Sequence, residues 1–112
     1  MAKYIHSNIW SWGRKDTIIL ADGQAFCQLS IQNDFPSVAY LTDVVVYKKA
    51  RRCGLGNVLL RIAIQQAKEM GANTLCLYSV PDRWVVEWYK RNGFVEYDVY
   101  TDGTIGMALN LL

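Results

Sequence analysis

Apolar and polar positions alternate with different periods along this chain, and the changes of period divide it into elements. Gln24 to Ile31 reads as a strand, with Ala25, Cys27, Leu29 and Ile31 on one side and Gln24, Phe26, Gln28 and Ser30 on the other. A shorter β-type run, Thr17 to Ala21, precedes it across the turn dipeptide Asp22-Gly23, which predicts a hairpin. Asn33 to Ser37 breaks the pattern. Val38 to Tyr47 is then apolar almost throughout and reads as a buried strand.

The period next changes to that of a helix. From about Asn57 to Met70, Leu59, Leu60, Ala63, Ile64, Ala67 and Met70 form one stripe, and Gly71 supplies a stop. Thr74 to Val80 is a short β-rich run. Pro81 and Asp82 open a second helix that runs to Arg91 or Asn92 and stops at Gly93. Val95 to Thr101, the turn Asp102-Gly103 and Thr104 to Leu112 predict a closing hairpin. Residues 1–16 show no clear period and read as an irregular or short extended arm. The order strand, strand, long strand, helix, strand, helix, strand, strand predicts an α/β (α+β) fold. Its sheet is mixed and largely antiparallel, with a central βαβ unit and two main helices.

Length and composition narrow the function. At 112 residues the chain is expected to form a single domain, residues 1–112. A net charge of +2 is too weak for general nucleic-acid binding through the whole surface. No apolar run is long enough to span a membrane, and the N-terminus carries no apolar leader, so a cytoplasmic protein is expected. Cys27, Cys53 and Cys76 are odd in number and widely spaced, which disfavours a disulfide framework or zinc site, and no metal is expected. With His6 the one histidine, a histidine-based nucleophilic mechanism has little to stand on.

The most informative segment joins the long strand to the first helix. It contains Lys48, Lys49, Arg51 and Arg52, then Gly54 and Gly56. Unpaired N–H groups at a helix start favour an anion, and glycines let a phosphate approach the backbone. The segment is either a phosphate cradle or a glycine-containing turn with solvated charges. It matches neither the P-loop nor the dinucleotide fingerprint.

Arg51-x-x-Gly54-x-Gly56, following Val44-Val45-Val46, resembles the acyl-CoA signature of the GNAT (Gcn-five-related N-acetyltransferase) family. Tyr89, Gly93 and Phe94 resemble a second motif of that family, at the expected place downstream. The resemblance covers about residues 17–112. It implies an N-acetyltransferase fold in which acetyl-CoA lies between two splayed parallel strands, here Val38–Tyr47 and Thr74–Val80. It implies that Val44, Val45 and Val46 hold the pantetheine arm. It also implies that Arg51, Arg52, Cys53, Gly54, Leu55, Gly56 and Asn57 hold the pyrophosphate, and that Tyr89 donates to the leaving thiolate. By residue type alone Tyr89 reads as a core aromatic, and it is the flanking motif that turns the reading to a functional one.

Four departures from the family pattern carry their own alternatives. Asp82 stands where the family often has asparagine, and either contacts the cofactor or caps its helix. Cys53 is either a reactive thiol or a small tolerated side chain. Asp43, the one carboxylate on the long strand, either serves as general base or bonds a neighbouring strand. Fewer residues precede Thr17 than the family's usual strand and two helices need. The expected function is transfer of an acetyl group from acetyl-CoA to a primary amine, or else CoA binding by a regulatory domain with little catalysis. A nucleic-acid partner is disfavoured. Trp10, Trp12, Trp84 and Trp88, with Val58 and Ile62 off the helical stripe, suggest apolar surface without a partner. A homodimer that helps wall the acceptor site is therefore expected.

Overall fold

The computed structural model describes residues 3–48, 51 and 54–112. Seven strands form one sheet: β1 (Lys3–Trp10), β2 (Gly13–Leu20), β3 (Ala25–Gln32), β4 (Phe35–Val46), β5 (Thr74–Ser79), β6 (Val95–Val99) and β7 (Ile105–Asn110). Helix α1 spans Leu55–Glu69 and α2 spans Arg83–Arg91. The spatial order is β1-β2-β3-β4-β5-β7-β6. Every neighbouring pair is antiparallel except β4 and β5, which α1 connects in parallel.

Both helices stand on one face. Inward positions Ile18, Leu20, Ala25, Cys27, Leu29, Ala39, Leu41, Leu75 and Leu77 join Leu59, Leu60, Ala63 and Ala67 of α1 and Val86 and Tyr89 of α2 in one buried cluster. Removing this apolar surface from water, at about 25 cal/mol per Å², is what holds the helices to the sheet.

Residues 3–16 depart from the expected arm. β1 and β2 form a regular hairpin around Ser11 and Trp12, in register from Lys3 against Leu20 to Trp10 against Gly13. β1 is exposed along nearly its whole length, so neither of its faces imposes an apolar period. Pairing to β2 makes it a strand. Val58 and Ile62 also depart from expectation: both are half-buried and pack against the core.

Asp16 of β2 is the one fully buried charged side chain among the described residues. Arg14 donates from Nε and Nη2 to its two carboxylate oxygens, each at 2.9 Å. Gln66 of α1 donates to Oδ2 at 2.8 Å. Burial alone would raise the Asp16 pKa, but the bonds from Arg14, Ser7 and Gln66 and the Arg14 charge together hold it below the ordinary value. Its stabilising effect is therefore present above about pH 4, the unfolded carboxylate value, and is lost as pH falls through the lower folded value. Asp16→Asn is expected to cost about 2–3 kcal/mol, the scale of charge-assisted hydrogen bonds. In thermal melts that is about 10–20 °C for a domain of this size. The variant should also lose part of the acid dependence of wild-type stability; unchanged acid unfolding would show that Asp16 does not drive it.

Candidate functional site

The parallel ladder between β4 and β5 is short. It holds three pairs, Val38–Thr74, Ala39–Leu75 and Tyr40–Cys76. Beyond Tyr40 the strands part, although β4 continues to Val46 and β5 to Ser79. A bulge in β4 sits at the parting, between the pairs Gln28–Thr42 and Phe26–Val45. Asp43 occupies it with φ +52, in the left-handed region that aspartate tolerates better than most residues. The extra residue shifts the alternation. Ala39 and Leu41 face the helices before it, and Val44 and Val46 face them after it. Val45, opposite Phe26, turns to the other face.

α1 begins beside this strand end. Gly54 leads into it with φ +76, a conformation that only glycine adopts freely. The first intrahelical bond is Val58 N–H to Gly54 O, at 3.2 Å. The N–H groups of Leu55, Gly56 and Asn57 thus have no helical acceptor, and among the described residues no side chain caps them. α2 is different: Asp82 Oδ1 accepts from Trp84 N–H at 2.8 Å and Val85 N–H at 3.3 Å. One helix start is closed by a carboxylate and the other is left for an anion. A Cβ built on Gly56 would lie 3.5 Å from the Trp88 ring and 3.8 Å from Val46.

Between these elements lies a groove of about 470 Å³. Its walls are Val44, Val46, Arg51, Gly54, Leu55, Gly56, Asn57, Val85, Trp88 and Tyr89. Arg51 Nε donates to Val46 O at 2.9 Å and so ties the loop to the strand end. Trp88 Nε1 donates to Asn57 Oδ1 at 2.6 Å and so ties α2 to the first turn of α1. An unsatisfied helix start next to an apolar, splayed strand end suits a ligand with an anionic head and a thin amide arm. Coenzyme A has that chemistry.

Tyr89 is buried on α2, with Trp88 at 4.9 Å between ring centroids and Phe94 edge-on at 5.5 Å. Burial, with a smaller contribution from the nearby Cys27 thiol, pushes its phenol up to about 12. At neutral pH the hydroxyl is therefore protonated and able to donate.

Seven of the residues singled out from the sequence as cofactor-binding, together with Tyr89, meet in this groove. Asp82 caps α2 and is not among the lining residues, and neither is Val45. Asp43 is exposed at the bulge beside the groove. Arg52 and Cys53 lie outside the described residues. The sequence did not single out Trp88 as a site wall, although it directly precedes Tyr89. It is half-buried there rather than part of an exposed patch. Among the described residues no three metal-ligating side chains cluster.

The opposite face of the sheet carries tyrosines at the same parting. Tyr40 and Tyr78 stack at 6.3 Å, and Tyr100 meets Tyr78 edge-on at 5.5 Å. Tyr97 lies flat over Gly106, where a Cβ would come within 2.8–3.0 Å of the ring and hydroxyl. Partial burial and hydrogen bonds with Tyr100 and Tyr78 hold the Tyr97 phenol above its usual value.

Comparison with known proteins agrees with this geometry. The fold matches a GNAT-family chain from Desulfovibrio desulfuricans with a TM-score of 0.77 at 13% identity, covering 99% of this chain and 100% of the other. It matches the paia N-acetyltransferase from Thermoplasma acidophilum, solved in complex with coenzyme A, with a TM-score of 0.71 at 19% identity over 86% of this chain and 59% of that one. In sequence the chain is 33% identical over 82 residues to an uncharacterized N-acetyltransferase, ycf52, of Pyropia yezoensis. That alignment covers 73% of this chain and 43% of the relative, so the chain spans less than half the length of that protein. The sequence profile of the acetyltransferase (GNAT) family matches residues 8–94, which include the bulged strand, the glycine loop and the tyrosine helix. The chain belongs to the acetyltransferase (GNAT) family.

Proposed function

We propose that this chain transfers an acetyl group from acetyl-CoA to a primary amine. The observation that carries the reading is the groove itself, which joins an uncapped helix start, a splayed strand end and a buried protonated phenol. The amides of Leu55, Gly56 and Asn57, with Arg51 beside them, receive the pyrophosphate. The main chain around Val44 and Val46 receives the pantetheine amides. The amine nitrogen attacks the thioester carbonyl carbon, a C–N bond forms and the C–S bond breaks. Tyr89 donates its proton to the departing sulfur. The nitrogen loses a proton to water or, through water, to the Asp43 carboxylate. The acceptor enters from the tyrosine-lined face at the parting of β4 and β5, where Tyr40 and Tyr78 stand.

Two measurements test this. Calorimetry should show acetyl-CoA binding, and a coupled thiol assay over small amines, peptide N-termini and lysine peptides should show release of free CoA. Binding without release on any acceptor would favour the alternative, a CoA-binding regulatory domain; no binding would overturn both. Asp43→Asn keeps a residue that tolerates the left-handed φ and removes the base. If Asp43 accepts the proton, turnover should fall about 10²-fold or more, with acetyl-CoA affinity unchanged. Unaltered turnover would leave Asp43 a purely conformational role.

A further inference from the structure

We propose that β1 is a dimerisation edge, pairing antiparallel with β1 of a second copy of this chain about a two-fold axis at Ser7. β1 is the terminal strand of the sheet, eight residues long, without proline or bulge, and Lys3 is its one formal charge. An edge of that kind is a template for another strand. Natural sheets usually blunt such edges.

The sequence of β1 is chemically palindromic. Reading outward from Ser7, His6 matches Asn8, Ile5 matches Ile9 and Tyr4 matches Trp10. In a continuous antiparallel sheet, residues opposite one another share a face. The Ser7 register therefore sets Ile5 against Ile9 of the partner on the helix face. It sets Tyr4 against Trp10, and His6 against Asn8, on the other face. Every pair joins like with like, and no like charges meet. Isologous two-fold contacts require this self-complementarity. Ile9 is 77% exposed and Tyr4 60% exposed in the single chain, so both gain cover.

The backbone agrees with this register. The β1–β2 hairpin turns on two residues, with Trp10 opposite Gly13. That closing pair is a hydrogen-bonded one in such hairpins, so alternation turns the main-chain groups of Ile5, Ser7 and Ile9 outward. These are the residues that the Ser7 register pairs. Asn33 N–H donates to Trp12 O at 2.9 Å on the other side of β2, in the same phase.

The opposite edge, β6, supplies the contrast. Val95-Glu96-Tyr97-Asp98-Val99 is also palindromic, but self-pairing would set Glu96 against Asp98 of the partner. Its ladder with β7 is also irregular between those two residues. Like charges and irregularity protect β6, and β1 has neither device. In the proposed dimer β4 stays three strands from the edge, so the partner extends the sheet and does not wall the acceptor side.

An eight-residue edge is a small contact, so dimerisation should depend on concentration. Sedimentation equilibrium from micromolar to sub-millimolar protein should show the mass rising from 12.8 kDa towards twice that value. Ile9→Lys should hold the chain at the monomer mass, and Val99→Lys on β6 should leave the dimer intact. Amide hydrogen exchange on the wild type keeps the test independent of whether either variant folds. The amides of Ile5, Ser7 and Ile9 should gain protection with concentration, while those of β6 do not. A monomer mass throughout would overturn the proposal. So would a dimer whose β1 amides exchange at one rate at all concentrations. Both readouts are independent of acetyl transfer.

Discussion

Tyr89→Phe is expected to lower turnover about 10²- to 10⁴-fold, the range for a positioned proton donor, with little change in acetyl-CoA affinity. The variant keeps the ring against Trp88 and Phe94 and deletes one hydroxyl, so the fold should survive. pH gives an independent handle. An ordinary phenol loses its proton near pH 10, whereas burial pushes Tyr89 up to about 12. The alkaline limb of the wild-type rate should therefore not fall as pH passes through 10. Near-normal turnover in the phenylalanine variant, or a loss of rate centred on pH 10, would return Tyr89 to a packing role.

Gly56→Asp is expected to weaken acetyl-CoA binding by about 100-fold or more, because like charges facing across a contact cost several kcal/mol. The new carboxylate would stand at the helix start proposed to receive the pyrophosphate. Stability should move the other way or stay level. Glycine is the poorest helix former after proline, at about 1 kcal/mol relative to alanine, and an acid in the first turn suits the helix dipole. The site has ordinary contact distances for a Cβ and no positive φ. A calorimetric affinity within a few-fold of wild type, in a variant that melts no lower, would move the pyrophosphate away from α1.

Much of this site was legible because its signals are local. Gly54 and Gly56 stand beside a run of cations, Asp82 sits at the cap position of α2, and the apolar stripe of α1 has the helical period. What could not be read depends on partners distant in sequence or on phase. β1 has no buried face to impose a period. Asp16 looks like an ordinary polar position at the end of an irregular arm until Gln66, fifty residues on, is brought against it. The bulge at Asp43 is hidden because Val44, Val45 and Val46 are alike in chemistry. Plain alternation from Leu41 would have turned Val45 to the groove, but the structure turns Val44 and Val46 there.

The three-pair ladder between β4 and β5 also bears on how the chain reaches its fold. Strands β1 to β4 form a meander whose pairings are all between sequence neighbours, and β6 and β7 are neighbours too. The parallel seam instead joins Val38 to Thr74, and so waits on α1 and its flanking loops to close. Pairings that close long loops reward the chain late. Substitutions along the seam, such as Ala39→Gly, should therefore mainly speed unfolding, whereas core truncations in β2 and β3, such as Ile18→Val, should slow folding. Stopped-flow chevrons would reveal the reverse ordering if it held. The groove would then lie along one of the late, long-range joins, the one tied by the fewest residue pairs.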